Sequence, residues 1–312
     1  MPTQKRRLTA SERLSKIIET ARAEGALVLD GHPDPELPDE VLDLTGLKHI
    51  KLSDCALTHL PEALAAQETL ERVSIKRCQS LKSLPESLGR RSLLKSLQIE
   101  SCPIEALPDS VWAHPTLGTL SLVATRIGEI SPSIKSSGLN RLTINSASLS
   151  RLPDELGEMV ALKSLTICDC HDLEVLPETI TALSTLETLE IYNTALSTLP
   201  DDIGRLTALT RLVLGSWGSN RLTRLPDSIC DLSQLRLLWL ADNQLEVLPE
   251  RIGELKNVGL MTLENNQLTE LPESLFEMKP FMLKKEFSFH GNLMDEAQMK
   301  AYKARIRKIP RR

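Results

Sequence analysis

Hydrophobic residues recur along the chain with a fixed period. The clearest copy is residues 235–255, LRLLWLADNQLEVLPERIGEL, in which apolar side chains alternate with polar ones and then return at wider spacing. Ten full copies follow one another in steps of 22 to 26 residues. They begin at Leu47, Leu70, Leu94, Leu117, Leu139, Leu162, Leu186, Leu209, Leu235 and Val258. A period in this range predicts a solenoid, because each unit buries its apolar side against its neighbours.

Each copy predicts one strand and one short helical turn. Leu238 and Leu240 of the clearest copy alternate with Trp239, which is the two-residue period of a strand. The LPxxI segment that follows predicts a helical or 3₁₀ turn on the opposite, convex side. In most copies the proline is followed by Asp or Glu, and such an acid complements the dipole of a short helix. We therefore interpret these carboxylates as structural, since a convex ridge offers no cleft for acid–base catalysis.

The pattern LxxLxLxxNxLxxLPxxIxxL resembles the leucine-rich repeat family, in its plant-intracellular or Ras-associated class, over residues 26–294. The resemblance implies an α/β fold, a right-handed solenoid (horseshoe) with a concave parallel sheet, short convex helical or 3₁₀ segments and helical caps at both ends. Copies with a cysteine and an extra residue, such as Cys78-Gln79-Ser80-Leu81, resemble those of effectors from plant-pathogenic bacteria and of plant immune receptors. The cleaner copies near Leu235 and Val258 resemble intracellular scaffolds of the Scribble and Erbin kind.

The repeat boundaries divide the chain into four segments. Residues 1–8 are polar and basic and predict a flexible N-terminus. Residues 9–25 predict a capping helix, because Thr9 and Glu12 have capping-box spacing and an apolar stripe follows; membrane binding by this helix is the alternative. Residues 26–294 form the solenoid, and residues 295–312 predict a C-terminal capping helix with a basic tail. That tail is a solvated cap face or, alternatively, a contact for phosphate or an acidic protein.

Composition narrows the classes of partner. The formal net charge of −5 and the pI near 5.8 offer no general attraction to nucleic acid or to anionic membranes. No secretory hydrophobic segment follows Met1, and no apolar run approaches the ~18 residues of a membrane span. We expect a cytoplasmic monomer, or a protein delivered into the cytoplasm of a host cell without a conventional signal peptide.

Four of the six cysteines occupy one repeat position. Cys55, Cys78, Cys102 and Cys170 stand where later copies have Asn220, Asn243, Asn266 and Asn292. This position points inward after the strand, so we predict buried free thiols. A disulfide between neighbouring rungs remains the alternative, because rungs lie about 4.8 Å apart.

No catalytic motif emerges. There is no phosphate-binding glycine loop, GxSxG or HExxH motif. The densest metal candidate is Cys168-Asp169-Cys170-His171, but the repeat register puts Cys170 at the inward position after the strand and Cys168 outward on the concave sheet, so the two thiols diverge. We therefore predict no catalytic residue, no metal, no cofactor and no enzymatic activity. One copy lacks its LP pair at Ile130-Ser131-Pro132, which predicts a less regular convex segment there.

The candidate binding residues are aromatic and arginine side chains on the concave face. Aromatic residues make up only 3% of the chain, yet Tyr192, Trp217 and Trp239 fall on three consecutive rungs with Arg211 and Arg236 between them. Tyr, Trp and Arg are enriched at binding hot spots. We predict that these five residues contact a protein partner. The alternative for Trp217 is that it packs over its own inserted loop, residues 215–219.

A basic patch near the N-terminus is a second candidate surface, for an acidic partner. It consists of Lys48, Lys51, Arg72, Lys76 and Arg77.

The predicted function is therefore a protein–protein interaction module that binds on its concave face. The resemblance favours a bacterial effector-like protein whose partner is a host protein of signalling or immunity. One alternative is the substrate-recognition part of a ubiquitin-ligase effector; the roughly 20 residues after the last rung contain no cysteine for transfer chemistry. The other alternative is an intracellular signalling scaffold.

Overall fold

The computed structural model describes residues 10–215, 219–278 and 287–308. Its framework is one twelve-stranded sheet in which every strand pairs in parallel with the next in sequence. The strands are β1 (Ala26–Asp30), β2 (His49–Ser53), β3 (Arg72–Lys76), β4 (Ser96–Glu100), β5 (Thr119–Thr125), β6 (Arg141–Ser146), β7 (Ser164–Cys168), β8 (Thr188–Tyr192), β9 (Arg211–Val213), β10 (Leu237–Trp239), β11 (Leu260–Thr262) and β12 (Phe287–Ser288). The predicted leucine-rich-repeat solenoid with a concave parallel sheet is confirmed.

The convex side is built from short turns of helix. Three of the described turns are α-helical: α2 (Asp39–Leu42), α3 (Glu62–Ala65) and α4 (Asp109–Trp112). Eight are 3₁₀ helices: η1 (Glu86–Arg90), η2 (Pro132–Ser136), η3 (Asp154–Glu158), η4 (Glu178–Ala182), η5 (Ile203–Arg205), η6 (Asp227–Asp231), η7 (Ile252–Glu254) and η8 (Glu273–Glu277).

Proline sets the start of most convex turns. Pro153 precedes η3 with φ −73° and ψ 150°, and its carbonyl accepts a hydrogen bond from Leu156 N at 3.1 Å. Proline therefore sits at the N-cap, and the acid that follows it begins the helix. Successive turns approach closely, since a Cβ on Gly157 would lie 2.2 Å from Thr179 O in the next turn. Only glycine allows this spacing.

The repeat that lacks its LP pair is regular on the convex side, so the expectation of an irregular segment there is wrong. Helix η2 has the same five-residue length as η3, and Ser131 Oγ caps it by accepting from Ser133 N at 3.2 Å. The irregularity lies in the sheet instead, where the pairing of β5 and β6 shifts between Leu122 and Thr125. Ser146 follows Ile144 after one residue, whereas the other full copies place two residues there, apart from the Leu209 copy with its inserted loop.

A ladder of inward polar residues follows the strands. The residue before the ladder position has a left-handed φ between 51° and 59° in eight copies, which ends the strand and turns the chain inward. Asn266 shows the bonding: its Nδ2 donates to Leu240 O at 2.9 Å in the previous rung, and its Oδ1 accepts from Leu245 N at 3.0 Å. The ladder residues are Cys55, Cys78, Cys102, Thr125, Ser146, Cys170, Thr194, Asn220, Asn243, Asn266 and Asn292.

Helices cover both ends of the solenoid. Helix α1 (Ala10–Glu24) packs through Ile18 and Ala21, which are buried. The C-terminal helix, α5 (Glu296–Lys308), packs Tyr302 on Phe276 with ring centroids 5.5 Å apart. Its Arg305 lies 4.0 Å from the centroid of the Phe276 ring and donates to both carboxylate oxygens of Glu273, at 2.8 and 2.6 Å. None of the described helices is long and apolar enough to cross a membrane.

The buried His114 forms hydrogen bonds to the backbone through both ring nitrogens. His114 Nε2 donates to Arg91 O at 2.9 Å, while Nδ1 accepts from Leu117 N at 3.0 Å. The ring is therefore a neutral tautomer, and burial lowers the pKa of His114 below its ordinary value of 6.5. Later copies have leucine at the same position, as in Leu183 and Leu206.

We expect Asn266→Ala to lower the free energy of unfolding by about 2 to 4 kcal/mol, because buried backbone groups at Leu240 and Leu245 lose their partners. Asn257→Ala is the matched control: Asn257 is exposed and makes one bond to Ser233 O. This control should change stability by less than about 0.5 kcal/mol. Urea unfolding followed by circular dichroism measures both; equal losses would contradict the ladder's role.

We expect acid to destabilise the fold through His114. Between its ordinary value of 6.5 and its lowered folded pKa, the unfolded chain binds a proton that the folded chain rejects. The free energy of unfolding therefore falls as the pH drops through this window. His114→Leu should flatten that part of the pH profile of thermal unfolding. An unchanged profile in the variant would mean that other groups cause the acid sensitivity.

Candidate protein-binding surface

Strand pairing places one side chain from each rung in a continuous row along the concave face. Successive pairings join Lys51 of β2 to Ser74 of β3 and continue rung by rung to Trp239, Thr262 and Ser288. This central row is Val28, Lys51, Ser74, Gln98, Ser121, Thr143, Thr166, Glu190, Val213, Trp239, Thr262 and Ser288. Its middle consists of small polar residues.

The N-terminal part of the concave face is charged, and two of its basic side chains form ion pairs with acidic side chains of neighbouring rungs. Lys76 Nζ lies 2.5 Å from Glu100 Oε2, and Arg77 Nη2 lies 2.6 Å from Asp54 Oδ2. The pKa of Asp54 is lowered by its hydrogen bond with Arg77. Of the predicted basic patch, two members are therefore already neutralised by carboxylates of neighbouring rungs.

The C-terminal part is apolar. Trp239 is half-buried and pairs with Val213 on one side and Thr262 on the other. Leu237 and Leu260, two residues before Trp239 and Thr262, are also half-buried and pair with each other. We call Leu237, Trp239 and Leu260, together with the buried Val213 beside Trp239, the apolar patch. Its three leucine and tryptophan side chains are partly exposed and adjacent in register on the described concave face.

Leu237 and Leu260 are not among the site residues predicted from the sequence. The signal was present, because the same row is polar in the preceding full copies. Those residues are His49, Arg72, Ser96, Thr119, Arg141, Ser164, Thr188 and Arg211. A leucine in a row that is otherwise His, Ser, Thr or Arg is a departure from the pattern that favours a binding role.

The two arginines predicted for the site have different surroundings. Arg211 Nε donates to Glu190 Oε1 at 2.6 Å, so its charge is already balanced on the concave face. Arg236 immediately precedes β10 at the edge of the sheet and is exposed. Within the described residues Arg236 forms no ion pair. Arg236 therefore lies beside the apolar patch with its charge available, and Arg211 does not.

Tyr192 lies in the outward row next to that of Trp239, and it contacts a side chain of the adjacent strand. It pairs with Cys168 across β7 and β8. Burial, together with the neighbouring Cys168 thiol, raises the pKa of the Tyr192 hydroxyl. Tyr192 is half-buried and Cys168 is buried. The structure thus places Tyr192 near the apolar patch but in contact with a thiol. Trp217 lies outside the described residues.

All six cysteines are free and buried. Cys170 points inward, and its thiol donates to Cys168 O at 3.3 Å; burial raises the pKa of Cys170 to about 12. Burial also raises the pKa of Cys230 to about 11. In the part of the chain that the structure describes, no group of three or more His, Cys, Asp or Glu side chains could hold a metal ion.

Comparison with known proteins supports the repeat assignment. No family model matches the chain. It is 27% identical over 167 residues to the disease resistance-like protein DSC1 of Arabidopsis thaliana, a match that covers 52% of this chain and 14% of that protein. The chain thus corresponds to a small part of this relative's length.

Solved structures share the fold. A chain of the octameric complex of Latrophilin 3, Unc5D and FLRT2 (LRR) superposes with a TM-score of 0.67 at 17% identity, covering 87% of this chain and 86% of that chain. The leucine-rich repeat domain of the type III effector XopL superposes with a TM-score of 0.51 at 25% identity, covering 76% and 85%. The fold is a leucine-rich-repeat solenoid.

We expect the thiols to react only after unfolding. Iodoacetamide should modify all six cysteines in denaturant without reductant, because none is in a disulfide. The folded protein should react far more slowly, since all six thiols are buried and burial also raises the pKa of Cys170 and Cys230. Intact mass counts the adducts. Four adducts in denaturant would show one disulfide, and rapid native labelling would show an accessible thiol.

Proposed function

We propose that this leucine-rich-repeat protein binds a protein partner through the C-terminal part of its concave face. One observation carries the proposal: Trp239, Leu237 and Leu260 are partly exposed on a face whose middle rungs carry Ser, Thr and Gln. Nothing in the repeat requires apolar residues at these positions. A partner that covered them would gain about 25 cal/mol for each Å² of apolar area removed from water.

The chemistry around the apolar patch fits an interface. Large aromatic side chains in the centre and charged residues at the rim are typical of binding hot spots. Trp239 would be the central anchor, and Arg236 would form part of the rim. Tyr192 and Arg211 extend the surface toward the middle rungs, where the Arg211–Glu190 pair holds both side chains in place. Trp217 is retained in the proposal on its sequence position alone.

The biological setting that we propose is effector-like: a monomer acting in a host cytoplasm on signalling or immunity. Two similarities support it, to the repeat domain of a type III effector and to a plant disease resistance-like protein. The alternative of substrate recognition for a ubiquitin ligase places the transfer chemistry elsewhere. The burial of all six cysteines favours recognition over catalysis in this chain, because a catalytic thiolate must be accessible.

We expect Trp239→Ala to abolish capture of specific partners from a plant lysate while circular dichroism stays native. The matched control is Val247→Ala, which removes an exposed apolar side chain from the same repeat at a position off the sheet. Quantitative mass spectrometry compares the captured proteins. Partners lost with Trp239→Ala and kept with Val247→Ala would support the site. Identical captured sets in wild type and both variants would place binding elsewhere.

A further inference from the structure

We infer that the C-terminal concave surface recognises a positively charged side chain of its partner, a lysine or an arginine, between Trp239 and Glu264. This inference rests on the proposed function and names the chemistry of the partner at that surface. It comes from two polar atoms on β11 and the residue after it that the fold leaves without a hydrogen bond.

Thr262 Oγ1 and Glu264 Oε2 are both buried and have no hydrogen-bond partner. The two residues are two positions apart on one rung, so their side chains point to the same side. A buried polar atom without a partner destabilises the fold, and the cost is larger when the atom is charged. Thr262 and Glu264 are themselves only half-buried, so a rotation of the Glu264 side chain would present its carboxylate to a ligand with hydrogen-bond donors.

The register places these acceptors next to the aromatic anchor. Trp239 pairs directly with Thr262. The following backbone bond, from Asp242 N to Glu264 O at 2.9 Å, keeps the end of the Trp239 rung beside Glu264. In a parallel sheet adjacent strands lie about 4.8 Å apart and each residue advances about 3.3 Å, so Trp239 and Glu264 are diagonal neighbours within reach of long side chains. A cation can therefore meet the Trp239 ring and the Glu264 carboxylate together.

No described basic side chain neutralises this carboxylate. Arg211, two rungs away, is bonded to Glu190. Arg236 lies at the opposite edge of the face, before β10. His290 follows on the next rung, where its carbonyl accepts from Asn265 N, and it forms no ion pair with Glu264. Among the described residues the Glu264 carboxylate has no ion pair, and its negative charge matches a basic partner group.

The chain itself contains the arrangement that we propose for the complex. Arg305 lies 4.0 Å from the centroid of the Phe276 ring and donates to both oxygens of Glu273. One guanidinium thus satisfies an aromatic face and a carboxylate at once. Trp239 and Glu264 offer the same pair of groups, with a ring that binds cations better than phenylalanine does.

The test uses random 12-residue peptides displayed on phage and selected on the full chain. Selected peptides are then synthesised and their dissociation constants measured by fluorescence anisotropy on wild type, Trp239→Ala, Glu264→Gln and Glu246→Gln. The last variant is the matched control, because Glu246 is exposed and lies off the sheet in the same region of the chain. Far-UV circular dichroism and thermal unfolding check each variant.

We expect the selected peptides to carry Lys or Arg and to lose binding on Trp239→Ala. Glu264→Gln should weaken them about tenfold or more, since a charge-assisted hydrogen bond is lost. Glu246→Gln should leave them unchanged. Replacing the peptide's basic residue by glutamine should remove the sensitivity to Glu264→Gln, and added salt should weaken wild-type binding.

Peptides that need Trp239 but bind Glu264→Gln as tightly as wild type would overturn the inference and leave the proposed function standing. Selections that yield no peptide sensitive to Trp239→Ala would overturn both. A lowered unfolding temperature for Glu264→Gln would also count against the inference, because the carboxylate would then have a structural partner. If Glu264 serves binding, its carboxylate should destabilise the fold or have no effect on it. Glu264→Gln should then raise the unfolding temperature or leave it unchanged.

Discussion

The structure depends on one constraint: each coil can satisfy its buried backbone groups only through the next coil. The chain leaves the strand through a left-handed residue and turns inward, so carbonyls such as Leu240 O are cut off from water and from their own sheet. The ladder residue supplies the missing partner. Asn220 shows how strict this is, because it comes after the inserted residues of the longest repeat and still donates to Ile191 O at 2.7 Å and Leu214 O at 2.9 Å.

The ladder is not uniform along the solenoid. In the C-terminal rungs asparagine donates and accepts at 2.7 to 3.3 Å, as Asn243 and Asn266 do. In the N-terminal rungs the thiol of Cys102 contacts carbonyls at 3.4 to 3.9 Å. A thiol is a weak donor and a weak acceptor, so hydrophobic burial contributes relatively more to the N-terminal rungs. The rigid asparagine rungs are also those that carry the apolar patch.

Because inward positions and convex turns hold the coil together, the outward positions of the strands are left free to vary. Salt bridges join neighbouring rungs where charges alternate, as in Lys76–Glu100 and Arg211–Glu190. Where the charges give way to Leu237, Trp239 and Leu260, no structural need explains the change. A binding surface on this fold is therefore recognised as a departure from the surrounding rows, and its rigidity comes from the ladder beneath it.

The sequence by itself determined the solenoid, the row in which each outward residue lies and the inward position of the ladder cysteines. The reason is that a two-residue strand period, repeated in each rung, specifies which residues pair. Only the tertiary structure decided what each outward side chain meets. In the structure Arg211 pairs with Glu190, Tyr192 contacts Cys168, and residues 132–136 form a regular 3₁₀ helix. The Oε2 atom of Glu264 has no hydrogen-bond partner. These outcomes depend on rotamers and distances between rungs some 24 residues apart, which a repeating pattern does not encode.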